Sequence, residues 1–279
     1  MKKALNAWSV DKSTGFDEMF MQIKEAGFDG IELNMDAPGR SAHSLSVETT
    51  EDEAKEIRSI SDKHGLPVVS ISSSLYGEGG MGSNDPEKRK AIEKIMERQL
   101  FCAKILGASG ILVVPGGISD TVSIKTAYAN SLSTMKSCKS FINEYKIFVA
   151  VENVWNTFFT SPWDMMVFVD ELDCPYIKAY FDVGNVLAFS RPEYWIEIIE
   201  KRISHIHIKD FLRSDYFNQG GKFTDLMTGS ANWKAVVATL KNIGFSGYLT
   251  AEVEKRADRT YLQFYKETAE VIGKIINIE

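Results

Sequence analysis

Apolar and polar positions along the chain alternate between two regimes. Runs of five to eight residues dense in Val, Ile and aromatics are each followed by an amphipathic stretch of ten to twenty residues, a period-two signal giving way to a helical one. Eight such pairs can be counted. The predicted strands are ALNAWS (4–9), GIELN (30–34), PVVSISS (67–73), GILVVPG (110–116), IFVAVEN (147–153), IKAYFDVG (177–184), ISHIHIKD (203–210) and YLTAEVE (248–254). Several are almost wholly apolar, as parallel strands covered on both faces are. The predicted helices carry their own punctuation: Asp17 to Ala26 stops at Gly27, Glu51 to His64 at Gly65, and Trp233 to Ile243 at Gly244, while a long helix opens at Asp85-Pro86 and stops at Gly107. AGFDGIEL, HGLPVVSI, LGASGILV and IGFSGYLT repeat one device, a helix stop followed by a strand. The pattern predicts an α/β fold, a single-domain (β/α)8 barrel over residues 1–279. The stretch from 211 to 230 is polar, Gly-rich and without a period, and is expected to be a long functional loop after the seventh strand.

Length and charge narrow the classes. With 279 residues, 44% of them hydrophobic, one large core is available. A net charge of −6 and the lack of any long Lys/Arg cluster argue against nucleic acid as a partner. No run of about twenty apolar residues could span a bilayer, and MKKALNAWSV meets Asp11 and Lys12 before a signal-peptide core develops, so a cytoplasmic protein without a membrane partner is expected. Cys102, Cys138 and Cys174 are odd in number and lack CxxC spacing, which suits reduced small hydrophobes. Oligomeric state is left open, a homo-oligomer included.

Chemistry enters at the strand ends. Glu152, Asp182, His207 and Glu252 close four consecutive predicted strands, and a barrel brings every strand C-terminus to one rim. Unpaired carboxylates are expensive to desolvate, so three acids and an imidazole in phase point to one shared divalent cation. The set is hard and oxygen-rich: Mn²⁺ is the first choice, with Mg²⁺, Co²⁺ and Zn²⁺ as alternatives, and coordination positions remain for a substrate. Strand parity puts His205 on the face of His207 but one layer deeper, as core imidazole or support for the ligand. Thr250, Glu252 and Glu254 also share a face, and Glu252 is preferred because Glu254 begins the exit turn. Glu152 and Glu252, expected nearly opposite each other, would flank a bound α-hydroxyketone as base and acid.

Taken together, IEL after AGFDG, VEN on the fifth strand, FDVGN on the sixth, HIHIKD on the seventh and AEVE on the eighth resemble the xylose-isomerase-like sugar isomerase and epimerase superfamily. The resemblance covers nearly the whole chain. It implies that Glu152, Asp182, His207 and Glu252 hold the metal, that the two glutamates are acid and base, and that the substrate is a small sugar or sugar phosphate. The chain departs from the free-ketose 3-epimerase pattern, which reads DxxH on the sixth strand where this chain has Asn185, and has a second glutamate where this chain has Phe158. DxGN with HxHxKD is closer to hexulose-6-phosphate isomerase and L-ribulose-5-phosphate 3-epimerase-like members, which implies a phosphorylated ketose.

Lys209 and Arg213 after the seventh strand, and a helix start around Ser230 to Trp233, are the expected phosphate contacts. Asn185, Lys209, Trp8 and Trp155 are the candidate substrate contacts, with core packing the alternative for both tryptophans. Glu32 suits a substrate bond or barrel-mouth structure equally. His43 reads as a solvated loop histidine and His64 as a helix C-terminal cation. Gly77, Gly79, Gly80 and Gly82 read as a rim lid before a phosphate cradle. Three rivals carry different outcomes. An inosose-dehydratase-like lyase would change substrate mass by one water, an abasic-site endonuclease would need more than four histidines and a positive surface, and a degenerate sugar-binding barrel would hold metal without exchanging protons.

Overall fold

The structure is a computed structural model that describes residues 1–77, 80–214 and 220–278. Eight parallel strands close into a barrel: β1 (Lys2–Asn6), β2 (Gly30–Met35), β3 (Val68–Ser73), β4 (Gly110–Val113), β5 (Phe148–Glu152), β6 (Ile177–Asp182), β7 (Ile203–Ile208) and β10 (Tyr248–Ala251). β10 pairs with both β1 and β7, which seals the sheet. Between β7 and β10 lies an antiparallel hairpin of β8 (Asp210–Arg213) and β9 (Gly221–Thr224). The helices sit outside the barrel and stop as their sequence demands. Glu51–His64 opens on a Thr50/Glu53 capping box, and Pro86–Leu106 ends at Gly107, whose φ of 76° a side chain would strain. Among the described residues no helix is long and apolar enough to cross a membrane, and all three cysteines are free.

The molecule has two interiors of opposite character. Outward-facing strand residues meet the helices in a dry layer that includes Phe20, Ile23, Leu100, Trp195 and Ile272, all fully buried. Inward-facing residues include many polar groups: Asn6, Glu32, Asn34, Ser70, Ser72, Tyr180 and His207 are buried and hydrogen-bond to one another. A buried polar group costs free energy unless it is paired, so this lumen holds together as a network. His205 lies beside it as a core imidazole. It meets Ser204 Oγ at 2.9 Å and Ser109 Oγ at 3.0 Å and stacks on Tyr180, and burial lowers its pKa to about 4.

Several expectations are corrected. The first strand ends at Asn6, because the Asn6 side chain accepts the Trp8 amide at 2.7 Å and turns Ala7–Ser9 into a 3-10 turn. His43 is buried, with its two ring nitrogens 2.8 Å from Thr14 O and 3.1 Å from Ala7 O, so it ties two loops together. Gly82 is packed against Gly116, whose carbonyl accepts its amide, and a Cβ on Gly80 would strike Tyr76 O, so these two glycines serve close packing; Gly79 lies outside the described residues. The stretch from 211 to 230 contains the hairpin, held by a Phe211–Phe223 pair across its strands.

Asp210 anchors that hairpin to the following helix. Its buried carboxylate accepts from the amides of Phe211, Gly229 and Ala231 and from the Trp233 indole, at 2.9 to 3.2 Å. A hydrogen bond to a charged group is worth about 1.5 to 3 kcal/mol, and buried donors left unpaired add to the loss. Asp210→Ala should therefore lower the unfolding free energy by at least about 3 kcal/mol in urea denaturation. A loss below about 1 kcal/mol would contradict the anchoring role.

Candidate metal centre

Glu152 is the last residue of β5, Asp182 the last of β6, and His207 the penultimate residue of β7; Glu252 follows β10 directly. These four strands are consecutive neighbours around the barrel, so their side chains converge on one arc of the rim. One donor atom from each lies within 4.8 Å of the others. Glu152 and Glu252 stand at the two ends of the arc, with two strands between them.

His207 is the hub. Its Nε2 lies 2.9 Å from Glu32 Oε2 and its Nδ1 3.0 Å from Glu152 Oε1, 3.2 Å from Glu252 Oε2 and 3.9 Å from Asp182 Oδ2. With Nε2 donating to Glu32, Nδ1 faces three carboxylates; it carries the second proton of the imidazolium there, and giving that proton up would free its lone pair for a metal, with Glu32 orienting the ring. Glu32 is fully buried, and burial drives its carboxyl up. The charge and bond of His207 and the Tyr180 hydroxyl at 2.6 Å outweigh that and hold it below the ordinary carboxylate range. Burial alone would strip the charge from His207, yet Glu32, Glu152 and Glu252 together raise its pKa well above normal. Three carboxylates around one nitrogen are a surplus of negative charge seeking a cation.

The acids are held differently. Asp182 Oδ1 accepts the Asn185 amide at 2.7 Å, while the buried Oδ2 has no hydrogen bond of good geometry and touches only the Lys209 ammonium at 3.1 Å. Burial raises Glu152, whereas Lys209 and His207 overcome burial at Glu252 and lower it. An underused carboxylate oxygen, an oriented Nδ1 and two further carboxylates fit a hard divalent cation.

Of the candidate substrate contacts, the structure brings two to the mouth of the site. A cavity of about 510 Å³ above Glu252 is lined by Trp8, Lys209, Phe223, Thr224 and Arg256. Trp8 donates its indole N–H to Asp36 at 3.0 Å, so it presents an apolar face with a fixed tilt. Trp155 lies elsewhere: its N–H donates to Asn185 O, its ring stacks on Phe223 at 5.0 Å, and it lines a separate apolar cavity of about 500 Å³ with Phe159, Phe189 and Phe211. Asn185 is buried, with its amide nitrogen on Asn153 O at 3.0 Å, so it braces the turn that carries Asp182. The amides of Gly229 and Ala231, just ahead of the helix that starts at Trp233, donate to the Asp210 carboxylate.

Residues 20–274 match the family model of the xylose isomerase-like TIM barrel. Among proteins of curated function, none matches the chain by sequence. Solved structures do match in fold. A 3-keto-D-glucoside 4-epimerase from E. coli aligns with a TM-score of 0.79 at 18% identity over 98% of this chain and 99% of its own. A D-psicose 3-epimerase from Clostridium cellulolyticum gives 0.80 at 14% identity over 99% of each chain. An L-ribulose 3-epimerase gives 0.78 at 16% identity over 99% of this chain and 94% of its own.

Glu32 is the residue whose removal should reveal the logic of the centre. Glu32→Gln keeps the shape but removes the charge that fixes the imidazole. Loss of such a supporting carboxylate typically costs ten- to a hundredfold in metal affinity, so Mn²⁺ titration of the chelator-stripped variant should show a fall of about that size. Unchanged affinity would mean that His207 is oriented by something else.

Proposed function

This chain belongs to the xylose isomerase-like TIM barrel family, and from that premise we propose that it is a divalent-metal-dependent isomerase or epimerase of a keto sugar, acting by proton transfer at a carbon next to a carbonyl. One observation carries the reading: Glu152 and Glu252 close on the same imidazole nitrogen, at 3.0 and 3.2 Å, from the two ends of the arc. A divalent ion held by Glu152, Asp182, His207 and Glu252 would polarise a ketose carbonyl and its neighbouring hydroxyl, which acidifies the C–H between them. The protein supplies the rest. One glutamate removes that proton to leave an enediolate and the other returns a proton to the second face or the adjacent carbon, with roles exchanged when the reaction runs backward. Lys209, beside Glu252, adds positive charge where the enediolate is negative. Trp8 offers a flat apolar wall to the sugar's C–H face.

The geometry favours an unphosphorylated keto sugar over the phosphate ester. Asp210 holds the amides of Gly229 and Ala231 just ahead of the helix that starts at Trp233, so these two donors are engaged within the protein. At the mouth, Arg256 pairs with Asp225 at 3.3 Å, and Lys255 is bonded to two backbone carbonyls. The neighbours in fold act by their names on keto-glucoside, psicose and ribulose, none of them a phosphate.

Incubation of Mn²⁺-loaded protein with ketoses in heavy water tests the mechanism. Deuterium should appear at the inverted or isomerised carbon, and Glu152→Gln and Glu252→Gln should each lower turnover by about 10²- to 10⁴-fold with the fold intact. Product formed without solvent label over many turnovers would indicate a hydride shift, and a product lighter by one water would indicate a lyase. Catalytic efficiency on a ketose should equal or exceed that on its terminal phosphate ester; a preference of tenfold or more for the ester would restore the phosphorylated substrate.

A further inference from the structure

Lys209 stands on the oxygens that a metal would need. Its ammonium is 3.1 Å from Asp182 Oδ2 and 2.8 Å from Glu252 Oε2. These same two oxygens face His207 Nδ1, at 3.9 and 3.2 Å. Of the two Asp182 oxygens, Oδ1 already accepts the Asn185 amide at 2.7 Å. The backbone of Lys209 is held in place as well: it follows β7 directly and packs so close to Gly184 that a Cβ there would lie 2.4 Å from its own Cβ. Its side chain is 17% exposed, and its ammonium sits 5.9 Å from the centre of the Phe223 ring.

Four carboxylates, Glu32, Glu152, Asp182 and Glu252, crowd this half of the lumen and rim, and His207 and Lys209 are the basic groups within ion-pair distance of them. Where no divalent ion is bound, the ammonium would answer part of this negative charge. We propose that Lys209 is a built-in competitor for the metal: it holds Asp182 and Glu252 together when no ion is bound, and it lowers the affinity of the centre for a divalent cation. This rests on the reading of Glu152, Asp182, His207 and Glu252 as a divalent site. A cation arriving at Oδ2 and Oε2 must either displace the ammonium or share both oxygens with it, and like charges sharing a ligand set in a poorly hydrated pocket repel.

The sign of one measurement separates this from a purely supporting role. If Lys209 only orients the two carboxylates, removing it loosens them and weakens metal binding; if it competes, removing it strengthens binding. Lys209→Met and Lys209→Gln are purified, stripped with chelator, checked by circular dichroism and titrated calorimetrically with Mn²⁺ beside the unaltered protein. Both variants should bind Mn²⁺ at least tenfold more tightly. The stripped variants should melt lower than the stripped parent and gain more from added Mn²⁺, because stabilisation by a ligand grows as its Kd falls. The glutamine variant keeps a hydrogen-bond donor and provides the comparison if the apolar one fails to fold. Affinity that is unchanged or weaker in the folded variants, with the parent still binding Mn²⁺, overturns the competitor role and leaves the metal centre standing. Absence of Mn²⁺ binding in parent and variants alike overturns the metal centre and the competitor role together.

Discussion

The bond between His207 Nε2 and Glu32, 2.9 Å long and wholly buried, is the constraint on which the site depends. A carboxylate at the centre of a barrel would be prohibitively costly unless its charge were answered, and this one is answered by an imidazole and by the Tyr180 hydroxyl. The same bond decides which nitrogen of His207 faces the rim. With Nε2 engaged, Nδ1 points among Glu152, Asp182 and Glu252 in a rigid direction, since its ring also lies against Tyr180 at 4.5 Å. The donor set is thereby organised from below before any ligand arrives.

That organisation explains the divided interior. Most strands around the site alternate an apolar residue facing the helices with a polar one facing the lumen: Glu32 and Asn34, Ser70 and Ser72, Tyr180 and Asp182, His205 and His207, Thr250 and Glu252; β5 differs, with Ala150 beneath Glu152. The apolar layer supplies the bulk of the burial and fixes the strands. The lumen network trades some of that driving force for orientation, because a hydrogen-bonded lattice of Asn6, Ser72 and Asn34 lets Glu32 sit in only one place. Asp210 applies the same principle on the outer side of the rim. By engaging two amides just ahead of the next helix with an internal anion, it gives the hairpin after β7 a fixed seat.

The barrel could be read from the chain because helix stops and strand starts recur as one phrase, and the four donors could be read because a charged residue ending an apolar strand is conspicuous. Glu32 carried the same signal, since it alternates with Asn34 on the lumen face. Its role depends on reaching His207 past β1 and β10, a relation between distant strands that no local pattern encodes. The hairpin of β8 and β9 escaped because its strands are four residues long and its core is a pair of phenylalanines that finds its partner only in Trp155, some sixty residues away. Residue type alone does not place Asn185, Trp8 and His43, because their geometry is set by partners that the sequence does not advertise: Asn153 O for Asn185, the Asn6 side-chain cap for Trp8, and the carbonyls of Ala7 and Thr14 for His43.

The central claim is that Glu32 presents His207 Nδ1, together with three carboxylates, to one divalent cation. Anomalous diffraction from crystals soaked in Mn²⁺ tests it most directly. The account predicts a single strong peak per chain about 2.0 to 2.3 Å from His207 Nδ1 and from an oxygen each of Glu152, Asp182 and Glu252, with Nε2 still on Glu32. A peak bound through Nε2, a peak elsewhere on the rim, or none at saturating Mn²⁺ would contradict it.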